Sequence, residues 1–344
     1  MHSRALSLVL RLKPGCGSIR GTDPFVERRQ VGVAGKRHAR LARIDRQLRS
    51  NKRASYSPWA GAAPSQWSIN TTSLCNAANV WMESVIEAHE PPSLLLALTE
   101  PSRAWFEMAA LLAASPFLSG LARGDGHPVY VLPGFMAGDQ STLVLRRFLD
   151  ARGYRTLPWG FGRNLGPRGR LREAMEVRVE QIFEEAGQRK VSLIGWSLGG
   201  IYARELARRQ PHLVRQVITL GSPFGGGNGS GTNAQVARLF ESINDDSRAR
   251  IAAEFMAEAK EPPPVPSTSI FSRSDGIAAW QVCMEKETAH TDNVEIVASH
   301  IGMGFNPAVF YVLADRLAQA EGVWRPFDRT GLRSMLFPAA KFAP

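Results

Sequence analysis

The chain has 344 residues, 44% of them hydrophobic, with three cysteines and a formal charge of +11. That length and composition allow a sizeable buried core, and the sparse, odd-numbered cysteines exclude a disulfide framework or a zinc spacing. The charge excess lies wholly in residues 1–81, which hold 14 Lys+Arg against 3 Asp+Glu, while residues 82–344 hold 28 of each, so the neutral body gives no ground for a nucleic-acid partner.

Residues 1–81 read as a basic arm, expected to be disordered or to follow a start site assigned too far upstream. Its apolar run over 6–10 is shorter than a secretory signal core, although its Arg-rich, acid-poor character also suits a targeting segment. A cytoplasmic location is the expectation. The body is expected over 82–330, with a tail over 331–344. No run approaches the ~18 apolar residues that span a bilayer. Cys283, in an apolar stretch, reads as a core thiol.

Apolar residues recur at helical spacing over 84–98, broken by Pro91 and Pro92, and again over 102–121, interrupted by Pro116. Strand and helix then alternate. Strands are expected at 128–132, 154–158, 190–195, 214–220, 268–272 and 294–298. Helices are expected at 141–151, 170–187, 198–209 and 306–320. This predicts an α/β fold: a mostly parallel sheet of about six strands with helices on both faces. A long insertion, about 224–266, separates two strands, with a helical part over about 233–260. Insertions of that length in a compact domain are often lids, the alternative being a decorative excursion.

The strongest local signal is Gly195-Trp196-Ser197-Leu198-Gly199-Gly200. A G-x-S-x-G turn between strand and helix lifts a serine hydroxyl clear of the sheet, and small neighbours let the two elements approach. A serine needs a base to become a nucleophile, and in this arrangement acid and histidine follow it in chain order. His300 comes directly after the last expected strand, on a loop at its carboxyl end. His290 precedes that strand and reads as solvated. Asp275 leaves the strand before it through Ser272-Arg273-Ser274-Asp275-Gly276. Its rival Asp292 sits at the wrong strand end, and an Asx-turn role for Asp275 stays open. Two amides are needed to hold an oxyanion: Leu198, after the serine, and Phe135 in the loop 133–138, with Met136 as second choice.

Together with Val131-Leu132-Pro133-Gly134-Phe135, Leu220-Gly221-Ser222-Pro223 and Ser299-His300-Ile301-Gly302-Met303, these motifs resemble those of bacterial α/β-hydrolases of the lipase and esterase kind. The resemblance covers about 84–330. It implies an α/β-hydrolase fold and hydrolysis of carboxylic esters, with no metal and no cofactor. That family often carries His-Gly after the first strand. Here the position is Pro133, so a side chain that commonly braces the oxyanion loop is missing.

Trp196, Phe161 and Met136 are the candidates to touch substrate, each with a plain packing role as the alternative. The expected partner is a small-molecule or lipid ester, with a transient membrane-surface contact and no nucleic acid. Two alternatives remain: acyl transfer to an alcohol through the same three residues, or a non-catalytic module acting at a membrane surface through the basic arm. Oligomeric state cannot be read from the sequence.

Overall fold

The computed structural model describes residues 89–226, 231–243 and 259–339, all within the compact unit Thr71–Pro344. The basic arm of residues 1–81 lies outside the described residues. Along the chain run α1 (Leu94–Ser119), β1 (Pro128–Leu132), α2 (Leu143–Ala151), β2 (Arg155–Leu157), α3 (Leu171–Glu185), β3 (Val191–Trp196), α4 (Leu198–Arg209) and β4 (Val214–Leu220). After these come α5 (Ala234–Ile243), β5 (Ser267–Phe271), β6 (Thr291–Glu295), α6 (Pro307–Leu317) and the short α7 (Arg333–Leu336). The six strands form one parallel sheet in the order β2-β1-β3-β4-β5-β6.

Strand residues alternate between two buried faces, as a pleat demands. Val129, Val131, Ile194, Ile218 and Ile270 pack with Leu145 and Leu149 of α2 and Phe310 and Leu313 of α6. Tyr130, Leu132, Leu193 and Val217 pack with Met175, Val179 and Ile182 of α3 and Tyr202 and Leu206 of α4. β3 sits between β1 and β4, so the serine that follows it emerges mid-sheet. Cys283 is buried, and burial pushes its thiol well up.

Two expectations need correction. From Leu94 on, the two expected N-terminal helical segments form one continuous helix, α1, running through Pro101 and Pro116, while 84–88 lie outside the described residues. Proline removes a helical N–H and leaves the carbonyl four residues earlier without its partner. For Pro116 that carbonyl belongs to Leu112, and the Ser115 hydroxyl donates to it at 2.8 Å. Near Pro101, the Thr99 hydroxyl donates to Leu95 O and the Arg103 guanidinium to Leu96 O. β6 begins three residues earlier than expected and takes in Asp292, whose carboxylate accepts from the Phe327 amide and Arg329, tethering the C-terminal stretch. In the C-terminal stretch, Ala339 bridges antiparallel to Val294 of β6. Of the expected helix over 233–260, Ala234–Ile243 is observed, and 244–258 lie outside the described residues.

The return from the insertion is fixed by a fully buried ion pair. Arg204 of α4 pairs with Glu285, and both side chains are wholly buried. Arg204 also donates to Ala259 O at 2.7 Å and Glu261 O at 2.8 Å, and stacks on Phe224 with its guanidinium 3.8 Å from the ring centroid. Ser267 of β5 donates to the Glu285 carboxylate at 2.9 Å. Removing one partner of a buried pair strands the other charge, costing about 3–5 kcal/mol. Glu285→Ala is therefore expected to lose about that much stability in urea unfolding, and Glu285→Gln, which keeps a hydrogen-bonding group, to lose less.

Candidate active site

Ser197 sits at φ 54°, ψ −122°, outside the regions open to ordinary residues. Such strain persists only where the surroundings over-determine it. Here they do. A methyl group on Gly195 would lie 2.3 Å from Gly200 Cα, one on Gly199 2.3 Å from Leu132 O, and one on Gly200 2.0 Å from Ser222 Oγ. All three glycines are thus required by close approach of β3, α4 and the neighbouring strands. The Ser197 amide is held by Leu220 O at 2.8 Å.

The loop after β1 passes over this turn. A methyl on Gly134 would lie 3.1 Å from Ser197 Cβ and 3.8 Å from its hydroxyl oxygen. Met136, at φ 64°, donates its amide to Asn164 O at 2.7 Å, which removes it as an oxyanion donor. Among the described residues neither the Phe135 nor the Leu198 amide donates to a protein acceptor. The brace missing at Pro133 comes from elsewhere. Asn164, buried in the loop after β2, donates its side-chain amide to Pro133 O at 2.9 Å, and its own amide to Ala137 O at 2.8 Å. An Asn in a Gly- and Arg-rich loop offered no sequence signal for that part.

Asp275 and His300 are joined. His300 Nδ1 donates to Asp275 Oδ2 at 2.6 Å, and Asp275 Oδ1 accepts from the Ile277 and Ala278 amides at 2.8 Å each. The Asx-turn and the histidine contact therefore coexist on one carboxylate. Gly221, the residue after Leu220, has φ 52°, and a methyl there would fall 3.0 Å from Asp275 Oδ2. So the pair sits beside the strand that holds the Ser197 amide. Among the described residues no hydrogen bond links Ser197 Oγ to His300. Burial pulls the His300 imidazole down, but the charge of Asp275, its hydrogen bond and the charge of Glu100 outweigh this and raise it. The rival His290 is exposed and lies edge-on to Trp324.

The candidate substrate contacts divide. Trp196 is a core residue at 8% exposure, and its indole donates to His300 O at 3.1 Å, so it tethers the histidine loop instead of lining a groove. Phe161 and Met136 are each 36% exposed. Phe135 meets Phe240 of α5 with ring centroids 5.1 Å apart, which brings α5 against the β1–α2 loop. The sequence reading missed two carboxylates, Glu100 and Glu107 of α1. Both accept amides of the His300 loop. Among the described residues no cluster of His, Cys, Asp and Glu is placed to hold a metal ion.

An all-parallel sheet, a strained serine between β3 and α4, and an acid and histidine after later strands meet the definition of one architecture. The chain has the α/β-hydrolase fold. No family model matches it. It is 42% identical over 67 residues to a triacylglycerol lipase of Pseudarthrobacter phenanthrenivorans, covering 20% of this chain and 21% of that protein. It is 38% identical over 64 residues to a pimeloyl-[acyl-carrier protein] methyl ester esterase of Proteus mirabilis, covering 18% of this chain and 23% of that one. The chain thus spans about a fifth of the length of these curated relatives. Among solved structures it is similar to an α/β-hydrolase from lagoon sediments of Mar Chica, Morocco (21% identity, 56% of this chain and 90% of that chain, TM-score 0.40). A monoacylglycerol lipase of Paleococcus ferrophilus is also similar (15% identity, 57% and 96%, TM-score 0.40).

A raised histidine stabilises the fold most when protonated. Its contribution is complete below its unfolded pKa, about 6.5, and is lost as pH rises through the higher folded value. Asp275→Asn keeps an oxygen for the Ile277 and Ala278 amides but removes the charge facing His300. Its stability deficit against wild type in urea unfolding is expected to be larger at pH 5.5, below the unfolded value, and to shrink as pH rises through the folded one.

Proposed function

We propose that the protein is a serine hydrolase that cleaves carboxylic esters through an acyl-enzyme. Ser197 Oγ attacks the ester carbonyl and His300 Nε2 takes its proton. Asp275 holds Nδ1–H, fixing the tautomer and stabilising the imidazolium that forms. The Phe135 and Leu198 amides receive the oxyanion. The imidazolium then protonates the leaving alcohol, and water, activated by the same imidazole, releases the acid. The observation that carries this reading is the 2.6 Å Asp275–His300 contact beside a serine held at φ 54°. The packing of Phe240 on Phe135 supports a lid-like part for the insertion, with Phe161 and Met136 at the acyl side.

Fluorophosphonate labelling and turnover of p-nitrophenyl esters test it. Wild type should be labelled at Ser197 and turn over ester. Ser197→Ala should lose labelling, and its kcat should drop on the order of a million-fold, as when a nucleophile is removed from a working triad. An unlabelled wild type refutes the proposal. Product ester accumulating when an alcohol is supplied would shift the reading to acyl transfer.

A membrane-surface contact belongs to the same reading. Leu98, Trp105 and Leu112 of α1, with Phe106 and Phe117 alongside, form an exposed apolar stripe, each at least 66% accessible. Val297 and Ile301, flanking His300 in sequence, are also exposed. The occupant this favours is an anionic lipid surface, because the preceding residues 1–81 carry the whole +11 excess. Among the described residues no helix is long and apolar enough to cross a membrane. The full chain should co-sediment with phosphatidylglycerol vesicles more than with phosphatidylcholine vesicles, and Trp105→Ser/Phe106→Ser should weaken this. Equal sedimentation of the double variant and wild type would remove the stripe from the account.

A further inference from the structure

We propose that Glu100, on a helix remote in sequence from Ser197, Asp275 and His300, is a positioning residue for them that locks the Asp275 and His300 loops together. The inference rests on the ester-hydrolase reading for its kinetic consequence, though not for its structural one.

The Glu100 side chain is 1% exposed, and its carboxylate is saturated by donors from both loops. Oε1 accepts from the Gly276 amide at 2.8 Å and the His300 amide at 3.0 Å, and Oε2 from the Ile301 amide at 2.8 Å. Gly276 follows Asp275, so one carboxylate is bonded on both sides of the Asp275–His300 contact. Arg103, one turn along, donates to Glu100 Oε1 at 2.8 Å and to Ser274 O at 2.6 Å, closing the other flank of the Asp275 loop. Glu107, two turns along, accepts the Ser299 amide at 2.7 Å and the Asn306 side chain at 3.0 Å.

The same contact explains two glycines of the sequence motifs. A methyl at Gly276 would lie 2.5 Å from Leu96 O, and one at Gly302 would lie 2.3 Å from Glu107 Oε2. A Cβ at Gly276 would meet the backbone of α1 and one at Gly302 the Glu107 carboxylate, so those glycines mark where the helix docks. Three surrounding elements face His300: Asp275 from the loop after β5, Glu100 from α1 with Arg103 and Glu107 beyond it, and the Trp196 indole from the elbow. Burial opposes a charged imidazole here, and Asp275 and Glu100 are the charges that favour it. Proton transfer from the serine creates that imidazolium, so Glu100 both fixes the imidazole's loop and favours its charged form.

The test compares full-length wild type, Glu100→Gln and Glu107→Gln. Histidine ring NMR follows His300, assigned by its loss in His300→Ala, and ester kinetics are measured across pH. In Glu100→Gln the His300 titration should move to lower pH, and the acid limb of kcat/KM should move with it. Its kcat should fall roughly tenfold to a hundredfold, as misplacement of a reacting group predicts, with KM little changed. In Glu107→Gln the titration should stay where it is. If Glu100→Gln does not fold, Glu100→Asp, which keeps the charge but withdraws the oxygens by one methylene, should still lower kcat. The proposal fails if His300 titrates alike in wild type and Glu100→Gln, or if Glu107→Gln shifts it equally. The NMR result stands even for a wild type that hydrolyses no ester, so loss of the ester reading and loss of the Glu100 assignment are separable.

Discussion

The close approach of β3 and α4 at Ser197 is the constraint on which the rest of the site depends. Three positions around the serine admit no side chain, and the serine itself is held in strained backbone. A strained residue is destabilising unless neighbours enforce it, at a cost of about 1–3 kcal/mol. The enforcement is spread across the sheet. Leu220 O holds the serine amide, Leu132 O lies under Gly199, and Ser222 Oγ lies against Gly200. Because β1, β3 and β4 all meet there, the loops leaving those strands converge on the hydroxyl without any further device.

The second constraint works from outside the sheet. α1 turns its carboxylates inward and its large apolar residues outward, the reverse of an ordinary surface helix. Its attachment to the two loops rests on charged and main-chain hydrogen bonds, with apolar packing limited to positions such as Leu111 and Leu118. Hydrogen bonds from amides to a buried carboxylate are among the stronger kinds, and they are directional. A helix held by them sets the position of loops more closely than apolar contact would.

The sheet, its connections and the elbow were legible because each rests on a local rule. Period-2 and period-3.6 patterns located β1, β3, β4 and α4 within a residue or two, and Gly-x-Ser-x-Gly carried its own steric logic. What escaped depends on distant partners. Pro116 argued for an interrupted helix, whereas the Ser115 hydroxyl takes up the carbonyl it frees and α1 continues. Glu100 and Glu107 drew no signal, because a periodicity reading assigns polar positions to water. Trp196 looked like a groove residue from its place in the motif, whereas its indole N–H had a use only once His300 O stood 3.1 Å away. Asn164 replaced a brace that the family pattern puts one residue from Gly134, from a loop some thirty positions later.

The amino end of the same sheet shows why residue type alone would not have found the site. There His127 Nδ1 lies 2.5 Å from Asp125 Oδ1, and its Nε2 lies 2.8 Å from Ser192 Oγ, the same three residue types in mutual contact. The surroundings differ in every respect that matters for chemistry. His127 and Ser192 are wholly buried, and Ser192 lies inside β3, paired across to Val129 of β1. Burial pulls the His127 imidazole down, and the nearby Arg215 and Arg189 oppose its charge, so Asp125 does not restore it. Asp125 in turn is held well below its usual range, against the effect of burial, by Arg215 and His127. That constellation pins β1 to β3 and β4. A histidine near serine and aspartate therefore signals chemistry only where the strand ends, the serine leaves the pleat, and the imidazole's charged form is favoured. Among the described residues Ser197 leaves the pleat at the end of β3 and the Asp275–His300 pair follows β5 and β6, whereas Ser192 and His127 meet neither condition.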